Sequence, residues 1–374
     1  MSRSAYIHVP FCRHRCGYCN FTLVAGRDDL IGAYLEGIER ELFGLGEPRP
    51  VRTLFLGGGT PTHLPPANLD RLLAIARRWF LLESGGEFSV EANPVDIDAE
   101  RVAVLARHGV SRISLGAQSF QAAKLKLLER DHSPEQIAAA VELCRPKIGS
   151  VSLDLIFGVP GETLEGWQND LRQALALAPD HVSTYGLTFE RGTAFWSRLQ
   201  RGELGKSEEE IERQMYESAI DTLTAEGFEH YEVSNFARPG QRSRHNERYW
   251  TAGEFYAAGP GAARFIDGRR EINHRSTTTW LQRVLSGKSP VAESEKLGPE
   301  DAARERLVFG LRRLQGVEVE AFARETGYRV EALGGAALQE YRQHGLLEMN
   351  EGVLRLTRKG LLVSDALWPA FLRG

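Results

Sequence analysis

Three of the chain's four cysteines fall within eight positions, Cys12, Cys16 and Cys19 in the stretch FCRHRCGYCNF, and the fourth, Cys144, stands far away. An odd number of clustered thiols does not suit disulfides. It suits a metal centre that keeps one coordination position open. Structural zinc takes four protein ligands, usually as two well-separated pairs, so zinc here would need His8, His14 or a distant residue. A [4Fe–4S] cube normally takes four cysteines, and with three, one iron is left to bind a small molecule. Arg13, His14 and Arg15 lie among the thiols, where positive charge would favour thiolate over thiol.

Such a centre needs a scaffold, and the first half of the chain supplies one by alternation. The β-rich runs Ala5–Val9, Thr53–Leu56, Phe88–Glu91, Arg112–Leu115, Ser152–Ile156 and His181–Leu187 are separated by stretches of helical spacing, such as Ile31, Leu35, Ile38 and Leu42. Strand alternating with helix predicts parallel strands joined by crossover helices. The fold class is therefore α/β, with a partial (β/α)6 barrel expected and a doubly wound open sheet as its rival. Polar or glycine residues stand where these strands stop: Gly57–Gly58–Gly59–Thr60, Glu91 with Asn93, Gln118, Asp154, and Tyr185 to Thr188. Turns also attract such residues, but in a barrel the C-terminal strand ends converge on one mouth, where sites are built.

Beyond the barrel, Ser207 and Glu210 stand at capping-box spacing and open a long helix that Gly227 would end. A segment bearing glycine, arginine and proline runs from 237 to 270, and the polar stretch 287–299 reads as a linker. Helices are expected at about 301–314, 318–326 and 330–344. Two short strands, LLEM and VLRL, then turn at Asn350–Glu351–Gly352, and a last helix starts near Lys359. Helices capped by a small hairpin resemble a winged helix. The expected division is 1–235, 236–298 and 299–374.

Composition narrows the function classes. With 42% apolar and 26% charged residues the chain reads as an ordinary globular protein. A net charge of −4 makes no electrostatic case for nucleic acid or membrane surfaces. There is no long uncharged apolar run, and MSRSAYIHVPF lacks the apolar core of a signal peptide. Clustered cysteines in a long chain fit cytosolic metal chemistry, so a cytoplasmic location is expected. Residues 301–374 mix both charge signs, which ranks a nucleic-acid module low. Cys144 reads as a structural thiol.

The segment from Cys12 to Cys19 also resembles the signature of the radical S-adenosylmethionine (SAM) superfamily, CxxxCxφC with φ aromatic. The resemblance implies a [4Fe–4S] cluster on Cys12, Cys16 and Cys19, with SAM chelating the open iron and Tyr18 near the adenine. LFLGGGTPT resembles the family's glycine-rich segment and places Gly58, Gly59 and Thr60 near SAM; no Gly-Lys-Ser/Thr follows, which excludes a Walker loop. By the same resemblance Tyr6, Glu91, Gln118, Arg130, Asp154 and Thr188 are SAM-site residues. YIHVPFC, GGGTPT, SLGAQSF, RDHS and DLIFGVPGET together resemble the oxygen-independent coproporphyrinogen III oxidase-like group. That group has two branches, a dehydrogenase that decarboxylates propionates and a heme chaperone. Three features favour the chaperone branch. Phe21 stands where the dehydrogenase has a fourth cysteine; only eleven residues precede Cys12; and HNERYW, His245 to Trp250, matches an HNxxYW motif associated with heme. The implied partners are heme, bound at His245 with Tyr249 and Trp250 against the porphyrin, heme-accepting respiratory proteins and an electron donor, without coproporphyrinogen dehydrogenase activity.

Overall fold

The computed structural model describes residues 3–372. Its first half is β1 (Arg3–Val9), α1 (Ile31–Phe43), β2 (Arg49–Gly58), α2 (Pro66–Trp79), β3 (Phe80–Ala92), α3 (Ala99–Arg107), β4 (Arg112–Gln118), α4 (Pro134–Cys144), β5 (Ser150–Phe157), α5 (Leu164–Ala176) and β6 (His181–Gly186). The six strands lie side by side in chain order and all pair in parallel. A doubly wound sheet reverses its strand order at a switch point. The unbroken order seen here is that of an open barrel. Alternation along each strand sorts side chains between the two faces. On β5, Leu153, Leu155 and Phe157 join the core beneath the helices, whereas Asp154 and Ile156 line an interior cavity. Cys144 is fully buried in that same core.

The sheet then grows at both edges. After α6 (Glu209–Ala225), the hairpin β7 (Glu229–Glu232) and β8 (Asn235–Ala237) adds antiparallel to β6. Past α7 (Arg244–Trp250), β9 (Phe255–Ala258) pairs in parallel with β1 on the opposite flank. It is followed by β10 (Ala263–Ile266), β11 (Arg269–Asn273), α8 (Thr277–Leu285) and β12 (Val291–Lys296). The result is a twelve-stranded sheet in the order β12-β11-β10-β9-β1-β2-β3-β4-β5-β6-β8-β7.

Two expectations are corrected here. The stretch 287–299 is not a linker: Val291–Lys296 is an edge strand on β11, and its exposed charged residues suit an edge that must not recruit further strands. Ser207 does not cap α6, which starts at Glu209 with Glu208 at its N-cap. The acidic first turn, Glu209, Glu210 and Glu212, favours that helix end through the helix dipole instead. Gly227, at φ +81°, does follow the end of α6.

The last segment holds α9 (Pro299–Arg312), α10 (Val319–Thr326), α11 (Val330–Gln343, broken at Gly335) and the hairpin β13 (Leu347–Asn350) with β14 (Val353–Leu356). A short strand at Val317–Glu318 makes the hairpin three-stranded. The helices-then-hairpin pattern is the one expected. This segment rests on α7 of the barrel: Trp250 meets the Phe309 ring at 6.2 Å, and the Arg312 guanidinium lies 4.6 Å above Trp250. Among the described residues no helix is long and apolar enough to cross a membrane.

Candidate cluster and cofactor cavity

A cavity of about 590 Å³ opens at the C-terminal ends of the parallel strands. Every residue expected at the cluster or SAM lines it except Tyr6, and none of the expected heme contacts His245, Tyr249 and Trp250 does. The loop after β1 carries the three thiols to its wall. Cys12 Sγ lies 3.3 Å from the Thr60 hydroxyl. Cys16, the most buried of the three, donates to the Glu129 carbonyl at 3.7 Å and accepts from Arg130 Nη1 at 3.5 Å. All three thiols are free. Among the described residues no three His, Cys, Asp or Glu side chains converge closely enough for a single ion. A polynuclear cluster does not need that convergence, because each thiolate binds its own iron.

The charge around the sulfurs comes from an unexpected direction. Arg13 turns away to Asp96 and Asp131 at 3.3 and 3.4 Å. Arg15 donates to the main-chain carbonyls of Cys19, Phe21 and Leu23, and His14 Nε2 meets the Glu129 carbonyl at 2.5 Å. These neighbours pin the loop, and the Arg15 charge favours the Cys19 thiolate without outweighing its burial. Burial pushes the Cys12 thiol up to about 12 and raises that of Cys19. Arg130, far away in sequence, is the cation that reaches a sulfur. Asn93 Oδ1 and the Gly116 carbonyl accept from its Nη2 at 2.9 and 3.1 Å, while its buried Nε has no partner.

The opposite wall is acidic. Glu91 Oε2 accepts from the Gly58 N–H at 2.8 Å. Ser114 donates to both Asp154 oxygens at 3.1 Å. Burial pushes the Glu91 carboxyl up to about 7, against the Gly58 hydrogen bond and with help from the Asp154 charge; burial raises Asp154 as well. Gln118 sits at φ +57° with a buried Oε1 that has no partner. Backbone strain of this kind persists where the surrounding structure over-determines it, often at ligand clamps.

Glu91 makes a pH prediction. Its folded value near 7 lies above its ordinary 4.5. The folded state therefore binds the extra proton between those limits, and its stability falls as pH rises through them. Ligand-free Glu91→Gln should melt higher than the parent at pH 8 and match it near pH 5. Equal melting temperatures at pH 8 would remove the buried charge from the account.

The glycine run is there for contact. Gly58 has φ +106°, and a Cβ on it would stand 2.2 Å from the His8 ring; a Cβ on Gly59 would stand 2.7 Å from the carbonyls of Val9 and Phe11. Gly58→Ala should cost on the order of 2 kcal/mol and displace the Glu91 hydrogen bond. Chemical denaturation and SAM titration of the reconstituted protein measure both effects.

His8, weighed in the sequence only as a ligand for zinc, has a different role in the structure. It is buried, and burial lowers its pKa to about 4, so the ring is neutral. Its Nε2–H donates to the Thr22 carbonyl at 2.6 Å, and its Nδ1 accepts from the Tyr6 hydroxyl at 3.0 Å. It thereby ties the chain just after Cys19 to β1 beneath the glycine run. Asn93, which orients Arg130, was noted at a strand end but not as a site residue. Its position two residues after Glu91 was the available signal. Tyr6 lies below the cavity, packed on Phe55 at 6.0 Å.

His245 departs furthest from expectation. The α7 helix is tucked into the N-terminal end of the barrel, and the Glu87 carboxylate accepts from the main-chain N–H groups of Arg244 and His245 at 3.0 and 3.1 Å. The His245 ring is 1% exposed. Its Nδ1 lies 2.8 Å from the Thr53 hydroxyl, its Nε2 lies 3.1 Å from the Tyr249 hydroxyl, and Phe55 stacks on it at 4.9 Å. Burial lowers its pKa to about 3. Both nitrogens are engaged, and in this fold the ring is part of the barrel floor.

An open barrel with three thiols at the mouth defines a radical SAM protein, and the Radical SAM superfamily model matches residues 6–174. The HemN C-terminal domain model matches residues 297–363. The chain belongs to the HemW family: it is 34% identical to the heme chaperone HemW of Bacillus subtilis (strain 168) over 99% of both chains. It is 37% identical to the heme chaperone HemW of Lactococcus lactis subsp. lactis (strain IL1403), over 99% of this chain and 97% of the relative. Its fold is shared with coproporphyrinogen III oxidase (HemN) from Escherichia coli, at a TM-score of 0.87 and 23% identity over 99% of this chain and 90% of that one. Superfamily membership implies a [4Fe–4S] cluster and SAM.

Proposed function

We propose that this chain is a heme chaperone that binds heme on a radical-SAM scaffold and passes it to acceptor heme proteins. The observation that carries this reading is the likeness to curated HemW proteins along the whole chain. The cavity suits the implied cofactors: three free thiols, a glycine cradle that a Cβ would fill, and two orphaned polar atoms, Gln118 Oε1 and Arg130 Nε. Cys12, Cys16 and Cys19 would hold the cluster. Arg130 would meet the SAM carboxylate, Glu91 and Asp154 would accept from ribose hydroxyls, and Gly58, Gly59 and Thr60 would approach the amino group. Tyr18, Gln118 and Thr188 would complete the wall. What a reduced [4Fe–4S] cluster with an open iron supplies when bound is an electron for a sulfonium bond. No thiol stands at Phe21, which is 63% exposed beside the cysteine loop. The acceptors would be respiratory heme proteins, reached from the cytoplasm, and an electron donor would serve the cluster.

Anaerobically reconstituted protein loaded with heme should transfer it to an apo heme protein, followed by absorbance. It should leave coproporphyrinogen III unchanged in the presence of SAM and reductant. The fold shared with the coproporphyrinogen oxidase favours dehydrogenase activity as a second reading, and sustained product formation in that assay would replace the first with it.

A further inference from the structure

A cluster held by Cys12, Cys16 and Cys19 takes its electron from outside the chain, and the residues around those thiols point to where. The loop that carries them walls one side of the cavity. On it Arg13, His14, Arg15, Asn20 and Phe21 are exposed, and Cys12 and Cys19 are half-buried. We propose that this loop, together with Arg275, is the docking surface for an acidic protein that carries one electron. The proposal rests on the reading that the three thiols hold an iron–sulfur cluster, and adds to it the face and the charge of the donor.

Two arginines grip the end of the loop. Arg15 donates to the carbonyls of Cys19, Phe21 and Leu23, the last at 2.7 Å. Arg275, in the turn between β11 and α8, donates to the Asn20 carbonyl at 2.8 Å and to the Thr22 hydroxyl at 3.3 Å. These acceptors are all neutral, so both guanidinium charges stay uncompensated. Both side chains are exposed, and among the described residues neither has a carboxylate partner. Neighbouring charges are otherwise paired: Arg13 with Asp96 and Asp131, Arg198 with Glu129, Arg27 with Asp29, and His63 with Asp28. Glu190 also lines the cavity and is exposed, but the exposed Arg191 follows it in the chain and offsets its charge. Two unpaired positive charges thus stand at the cluster wall of a chain whose net charge is −4. An acidic partner, repelled by the molecule as a whole, would be drawn to this face.

Phe21 supplies the apolar anchor. It is exposed, although Phe11 and Leu23 on either side of the loop are buried. An aromatic flanked by arginines has the composition of a protein-interface centre. Electron-transfer encounters bury less than about 1,200 Å², so a few anchoring side chains suffice. Position selects an electron carrier among acidic partners. Arg15 bonds the carbonyl of Cys19 itself at 3.4 Å, so a protein seated on these arginines lies against a residue that holds the cluster. In the exchange the carrier's centre loses one electron and the cluster gains one, with no bond or proton moved.

The test uses anaerobically reconstituted full-length protein and an acidic plant-type [2Fe–2S] ferredoxin as the probe. Calorimetric titration with oxidised ferredoxin reads docking. Freeze-quenched electron paramagnetic resonance after mixing with reduced ferredoxin distinguishes the two reduced centres and reads delivery. Arg15→Gln and Arg275→Gln should each raise the ferredoxin Kd about threefold at low salt. Those differences should close at about 1 M salt, where the screening length is about 3 Å. Phe21→Ser should weaken docking at both salt concentrations. Arg275→Glu should slow delivery from ferredoxin about tenfold, while dithionite, which needs no docking, reduces the cluster as fast as in the parent. Iron content and SAM binding are measured for each variant, and the salt dependence of the unmodified protein decides the electrostatic contact even where a variant is unstable. Should ferredoxin not dock on the parent, or dock with an affinity that neither salt nor these variants change, the surface is wrong although the cluster stands. Should the parent retain no iron, the cluster reading fails and takes the proposal with it. If the variants weaken hemin binding and leave ferredoxin docking intact, the arginines serve the cargo's propionates and the electron-carrier proposal falls.

Discussion

Cys16→Ser in anaerobically reconstituted protein lowers bound iron from about four per chain to near zero. The three thiols carry unequal weight. Cys16 is the most buried, and it alone receives the Arg130 guanidinium, at 3.5 Å. A serine would keep the size and the hydrogen bond to the Glu129 carbonyl, so the loop should fold. Its hydroxyl is a hard, weakly acidic donor where iron–sulfur chemistry requires a soft thiolate. With only two thiolates left, two irons would stand open to solvent. Iron and sulfide analysis, together with the electron paramagnetic resonance of the reduced protein, reads the outcome. Cys144→Ser is the control, because that thiol lies in the core away from the cavity. Full iron retention in Cys16→Ser would mean that the cavity holds its metal by some other set of ligands.

The second large effect is expected away from the thiols. Lys124, Glu162 and Asp170 form a buried triad whose side chains are 6%, 3% and 0% exposed. Lys124 Nζ donates to both carboxylates, to Asp170 at 3.0 Å. Asp170 also accepts from the Ser119 hydroxyl and the Phe120 N–H, and Glu162 accepts from the Val159 N–H. The triad thus ties the turn after β4, where Gln118 holds its strained backbone, to the turn after β5. The strands that lead into both turns line the cavity, with Gln118 on β4 and Asp154 and Ile156 on β5. Removing one partner of a buried ionic group leaves uncompensated charge in a poor solvent. Lys124→Met should therefore cost about 3–5 kcal/mol, seen as a lower denaturant midpoint at unchanged slope. SAM affinity should drop with it, because Gln118 loses its support. Adding Glu162→Gln to Lys124→Met should recover part of the loss, since one of the two stranded charges disappears. A near-neutral Lys124→Met would show that water reaches the triad.

Local pattern alone determined a good deal of this protein. The cysteine spacing, the six β-rich runs with helices between them, and the hairpin after three helices are short-range features, and each appears where the residues placed it. Strand ends were legible for the same reason: a strand must stop in residues that turn, and in a parallel barrel all those ends face one way. That is why Glu91, Gln118, Asp154 and the glycine run could be read as neighbours although they are far apart in the chain.

The tertiary structure decided what depends on long-range approach. It set the direction in which a charge points: Arg13 and Arg15 sit beside the thiols in sequence yet bond elsewhere, while Arg130 arrives from a distant turn. It made His8 the tie between β1 and the cysteine loop, a role that exists only when Thr22 folds back over it. It turned the polar stretch 291–296 into an edge strand, because a partner strand can recruit residues of weak propensity. It also buried His245. A motif records which side chains are present, but their solvation, and so their availability to a metal, is fixed by what packs around them, here Thr53 and Phe55 on β2, Glu87 on β3 and Tyr249 on α7.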